Sequence, residues 1–154
     1  MKELKIKNIY QNAFETFKVF ETIPFEISGI LIENQTSTIW QILNHLIIWQ
    51  KFHIEELNNI EKNIKFNESK SWISEIIPKD ILEWKTKISE FENQIEIIKN
   101  IVETLNFKDE KINEKMKIIQ NSSTHLSFHL GEIILIGRQK NKYPQPSEMN
   151  EFLK

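Results

Sequence analysis

The stretch from Lys79 to Asn106 narrows what this chain can fold into more than any other. Ile81, Trp84, Ile88, Phe91, Ile95, Ile98, Val102 and Leu105 recur there at alternating three- and four-residue steps, and mostly Glu, Lys, Asn and Ser stand between them. That spacing runs one apolar stripe down a helix, and the stripe has to be buried against other helices. Pro78 stands just ahead, where proline suits a helix start. Only three glycines and four prolines punctuate 154 residues, which favours long helices over a strand-rich fold.

The same reading predicts three further helices. The first spans roughly Lys2 to Glu21, with Ile6, Ile9, Tyr10, Ala13, Phe14, Phe17 and Phe20 inward, and Pro24 stops it. Phe25 to Gln35, with Gly29, reads as a connection. The second helix starts at the cap residues Thr36-Ser37-Thr38 and runs to about Asn59, with Ile39, Ile42, Leu43, Leu46, Trp49, Leu57 and Ile60 as its apolar positions. A long link follows from Asn58 to Pro78, with a short helix expected at Ser71 to Ile76. Phe107 to Gln120 is polar and reads as a link with another short helix. The last main helix is expected from Asn121-Ser122-Ser123 to about Lys140, and Tyr143-Pro144-Gln145-Pro146 ends regular structure. In that helix Leu126, Phe128, Leu130, Ile133, Ile134, Leu135 and Ile136 point to nearly all sides, so the extra face calls for a cover such as a second copy of the chain. The expectation is an all-α four-helix bundle formed by residues 1–154 as one domain, with at least one crossover among its longer links.

Charge and composition exclude several functions. The formal net charge is -2 with acids and bases interspersed, so no basic stripe marks a nucleic-acid partner. There is no cysteine, which removes disulfides, thiolate metal sites and a protein thiol nucleophile. No apolar run reaches the roughly 18 residues of a membrane span. The opening MKELKIKNIY carries charge from residue 2, so a cytoplasmic protein is expected.

The chemistry concentrates in Ser123 to Ile134, STHLSFHLGEII. His125 and His129 stand four apart and stack on one helical face, with Cβ atoms about 5–6 Å apart. Two imidazoles so placed can point at one ion. The metalloprotease pattern is absent, because Leu126 follows the first histidine where HExxH has its glutamate. Glu132, one turn after His129, can orient a histidine, act as a base or add a ligand. A third ligand has to come from the second helix, and periodicity there leaves both His45 and His53 open. Trp40, Trp49, Trp72 and Trp84 fit a core or the wall of a pocket.

Two segments carry a resemblance. TIWQILNHL, from Thr38 to Leu46 and followed by Trp49, is similar to the second-helix signature of the DinB superfamily. HLSFHLGEI, followed by Arg138, is similar to that family's closing signature, and Ser71-Trp72, Pro78 and Trp84 fit between them in order and spacing. The resemblance covers nearly the whole chain. It implies a four-helix bundle of up-down-down-up order, a homodimer, and a divalent ion held by His45, His125 and His129. It gives His53 no counterpart, which leaves that residue as a rim or packing histidine. Glu132 stands where glutamine is common in relatives, so its place around the ion stays open. Three histidines with an open position suit zinc or nickel, and also manganese or iron. The function implied is a transferase that uses a low-molecular-weight thiol as cosubstrate. The alternatives are a metal-dependent hydrolase with Glu132 as base, and a non-catalytic dimeric scaffold or stress-response binding module.

Overall fold

The computed structural model describes residues 5–154. Among them there is no strand, and three long helices dominate: α3 (Ile39–Asn58), α4 (Ile81–Thr104) and α5 (Ile112–Gln139). Two single-turn helices precede them, α1 (Ile6–Ile9) and α2 (Val19–Thr22), and a third, α6 (Met149–Phe152), follows. The all-α class expected from the sequence holds. Among the described residues no helix is long and apolar enough to cross a membrane.

Local chemistry sets the helix starts. Thr38 caps α3 in a reciprocal box, its hydroxyl accepting from the Gln41 N–H while the Gln41 side chain accepts from the Thr38 N–H. Asp80 caps α4 by accepting from the Glu83 N–H at 2.8 Å, two residues after Pro78. The start of α5 differs from expectation. No second short helix and no break precede Asn121; the helix begins at Ile112 and runs for 28 residues. Ser122 and Ser123, which look like caps in the sequence, lie in its middle. Ser123 Oγ instead donates to the Ala13 carbonyl at 2.6 Å, and Ser122 is buried. The buried residues Ile112, Ile119, Leu126 and Ile133 recur every seven residues, which carries one stripe through the supposed link.

The first expected helix is overturned. Its residues 2–4 lie outside the described part of the chain, and the remainder is broken between α1 and α2. Asn12, Phe17 and Lys18 adopt left-handed backbone, with φ of 64°, 53° and 52°. A right-handed helix cannot pass through such residues. The broken segment instead lies along α4 and α5, wedging Phe14, Val19 and Phe20 into the core. Tyr10 donates to the Met116 carbonyl, and Tyr143 donates to the carbonyl of Phe17. The second bond satisfies a carbonyl that a continuous helix would have paired internally.

Contacts give the chain directions. Trp40 meets Trp84 near the starts of α3 and α4, so these two helices run the same way. The link between them is therefore a crossover. Lys111, before α5, lies near Glu61, just past the end of α3, so α5 returns antiparallel. Lys7 pairs with Glu103 at the end of α4, while Phe20 packs on Phe91 and on Trp84 near its start, so the N-terminal segment runs against α4. The expected helix at Ser71 to Ile76 does not form. A 3-10 turn at Glu68–Lys70 precedes an irregular stretch there. A further turn and α6 follow Pro146, so regular structure does not end with the Tyr143 tail.

The last helix is not buried on all sides. Leu126, Leu130, Ile133 and Ile136 are within the core, but Phe128 and Leu135 are 64% and 47% exposed. They stand seven residues apart on the outward face.

Candidate metal centre

His45 comes from the inner side of α3, and His125 and His129 come from consecutive turns of α5. Each offers one ring nitrogen, and the three nitrogens lie within 4.8 Å of one another. Antiparallel packing explains why an early and a late helix meet at this level. A group of three histidines is thus assembled that can hold a metal ion.

The hydrogen bonds set which nitrogens face inward. His45 Nδ1 donates to the Ser71 carbonyl at 3.1 Å, which leaves Nε2 bare. That Nε2 lies 3.1 Å from His125 Nε2. Two nitrogens on a tetrahedral ion with bonds of 2.0–2.1 Å stand roughly 3.3 Å apart, so the pair is already spaced for one ion. His129 Nδ1 donates to Glu132 Oε2 at 2.5 Å, turning its own Nε2 to the free side of the ring. A ligating histidine held by a carboxylate or carbonyl through its other nitrogen is the usual arrangement around bound metals.

Electrostatics agree with that donor set. Burial, which penalises the charged imidazole, lowers His45 to about 4; the Ser71 carbonyl opposes the shift and His129 adds to it. His125 is lowered to about 3, first by burial and then by His129, His45 and His53. Both are neutral at pH 7 with lone pairs available, as metal binding needs. The residues therefore fit a divalent ion of the kind that prefers nitrogen ligands.

Aromatic rings flank the cluster. Trp72 stacks on His45 with centroids 3.9 Å apart and planes 13° apart. Trp49 packs edgewise near His45 and lies 5.0 Å from His125, while Phe128 meets His129 at 5.0 Å. Phe66, from the crossover, lies 4.0 Å from Trp49. The other two tryptophans, Trp40 and Trp84, are core residues away from the histidines. His53 is buried two turns along α3 and lowered to about 4 by burial, but it is not among the three converging nitrogens. Ser71 and Phe66 were not singled out as site residues by the sequence, because the link has no period to place them, and Trp72 was offered only as core or the wall of a pocket. The one signal was the Ser71-Trp72 pair within the family-like spacing.

Compared with protein-family models, curated proteins and solved structures, the chain matches none of them.

Proposed function

We propose that this chain is a divalent-metal enzyme of the DinB type, a transferase that uses a low-molecular-weight thiol as cosubstrate. The observation that carries the reading is the convergence of three imidazoles, from His45, His125 and His129, with no fourth protein ligand in the group among the described residues. Catalytic zinc sites of this composition keep a position for substrate. Zinc or nickel is the ion best suited to imidazole here, ahead of manganese or iron. Bound there, the ion supplies a Lewis-acid position that lowers the pKa of a thiol or water brought to it. The chain's own part is to hold the imidazoles: the Ser71 carbonyl fixes His45, and Glu132 fixes His129. Trp72 and Trp49 limit the water that reaches them. The absence of cysteine is compatible with a thiol that arrives with the cosubstrate.

The chain directions support the family reading, since the N-terminal segment and α5 run one way and α3 and α4 the other. The exposed Phe128 and Leu135 support a homodimer built on the outer face of α5. A cytoplasmic setting suits a thiol of this kind. The hydrolase alternative gains nothing from Glu132, whose carboxylate is engaged on the Nδ1 side of His129, away from the bare nitrogen.

Metal analysis with thermal melts, with and without chelator, tests the proposal. About one ion per chain and a melt lowered by chelator are expected. A chain that takes up neither zinc nor nickel sinks both enzyme readings and leaves the scaffold. With metal bound, a panel of thiols and electrophilic acceptors should give thioether product; hydrolysis without thiol consumption would favour the hydrolase.

A further inference from the structure

The crossover between α3 and α4 is fastened to α3 by three side chains that take carbonyls in reverse order. Thr38 Oγ1 donates to the Ile76 carbonyl at 2.7 Å, Gln41 Nε2 to that of Ile73 at 3.2 Å, and His45 Nδ1 to that of Ser71 at 3.1 Å. Positions 38, 41 and 45 share one side of the helix, so the link is zipped antiparallel along it. His45 is the last tooth of this zipper and also one of the three converging ligands. Ser71 is itself fully buried, with its N–H and its hydroxyl both donating to the Glu68 carbonyl. Trp72, next in sequence, lies flat on the His45 ring and edge-on to His129 at 5.9 Å.

We propose that residues 68–76 are a positioning element for the metal centre. The Ser71 carbonyl selects the His45 tautomer with a bare Nε2, and the Trp72 indole fixes the plane of the ring. Docking of the link and occupation of the site are then coupled, and by reciprocity an ion tightens the link as much as the docked link tightens the ion. The inference rests on His45, His125 and His129 being ion ligands. Gln41 and Trp72 are its positioning residues, since neither belongs to the ligand group.

Gln41→Glu isolates the coupling. The carboxylate still accepts from the Thr38 N–H and suits a first helical turn, so α3 keeps its cap. It has no proton to give the Ile73 carbonyl, so only the link is released. The probe is cobalt(II) alone, titrated into the full chain and followed through its visible absorption bands. The dissociation constant is expected to rise about tenfold in Gln41→Glu, the lower end of what partners behind ligating histidines are worth. Trp72→Ala should weaken binding similarly and shift the cobalt bands, and Trp72→Phe should restore both. Hydrogen exchange in residues 68–76 should slow on cobalt addition in the parent and much less in Gln41→Glu. Parent-like affinity, bands and exchange in both Gln41→Glu and Trp72→Ala overturn the proposal. A parent that binds no cobalt overturns the metal reading itself, and the coupling with it, which separates the two failures.

Discussion

Replacing Glu132 separates a residue that holds a ligand from one that does chemistry. Its carboxylate accepts from His129 Nδ1 at 2.5 Å; the imidazole is 7% exposed and the carboxylate 31%. A hydrogen bond to an ionised acceptor is roughly twice as strong as a neutral one. Outer partners of this kind are typically worth 10–100-fold in metal affinity. Glu132→Ala removes the acceptor and frees the ring to turn, so zinc affinity should fall by about 100-fold, or about 2.8 kcal/mol. Glu132→Gln keeps an oxygen for the Nδ1 proton but loses its charge. It should cost about tenfold, or about 1.4 kcal/mol, with the carboxylate's partial exposure softening the loss of charge. Zinc competition against a chromophoric chelator at pH 7.5 reads both, with circular dichroism to confirm the fold. Parent-like affinity in both variants would refute a holding role, and a larger loss in Gln than in Ala would refute the ordering by retained acceptor.

Three more outcomes are expected. His45 and His53 are lowered to about 4 and His125 to about 3, so the metal-free folded state stays unprotonated at these rings well below the ordinary value of 6.5. The unfolded chain binds those protons first, so stability is fully present above pH 6.5 and is lost as the pH falls towards 4 and then 3. Urea midpoints at pH 7.5 and pH 5 with chelator present check the sign, and equal midpoints would count against buried neutral histidines. His53→Ala should leave metal content unchanged, because its ring lies outside the converging group; loss of metal would make it a fourth ligand. The helical glycines should respond oppositely. A Cβ at Gly137 would meet Ile23 Cδ1 at 2.6 Å and Tyr143 Cβ at 2.9 Å, so Gly137→Ala should destabilise by about 1–3 kcal/mol. A Cβ at Gly131 meets nothing within 4 Å, so Gly131→Ala should stabilise by about 0.5–1 kcal/mol in thermal or urea melts.

Periodicity made the long elements legible. The stripe from Trp84 to Val102 and the caps before Ile39 are local signals, and local signals survive where packing agrees with them. The same logic failed for the N-terminal segment, whose apolar residues are equally periodic. There the groove between α4 and α5 is better filled by a chain that bends at Asn12, Phe17 and Lys18, which no window of sequence reveals. Ser122-Ser123 misled for a related reason, since Ser123 finds its acceptor in the distant Ala13. His125 and His129 were visible as a pair because a helix places them together. The choice of His45 over His53 came from the resemblance, and in the structure it depends on which level of α3 packs beside His125 and His129 of α5. The backing groups, Ser71 and Trp72, sit in aperiodic chain and are defined only once the crossover is laid on α3.

The broken N-terminal segment also decides where this molecule loosens. Its two helical pieces have four residues each, far below the roughly 12–15 at which an isolated helix becomes marginal, so their order is borrowed from what they lie on. Two of its left-handed residues are tied down by the far end of the chain, with Tyr143 donating to the Phe17 carbonyl and Lys18 donating to that of Phe152. A wall with borrowed order opens before the helices that lend it. It is a seam along α4 and α5, while the histidines sit between α3 and α5. Opening along that seam would bare Trp84 and Phe91, on which Phe20 packs, and would leave the packing of α3 on α5 that brings the histidines together.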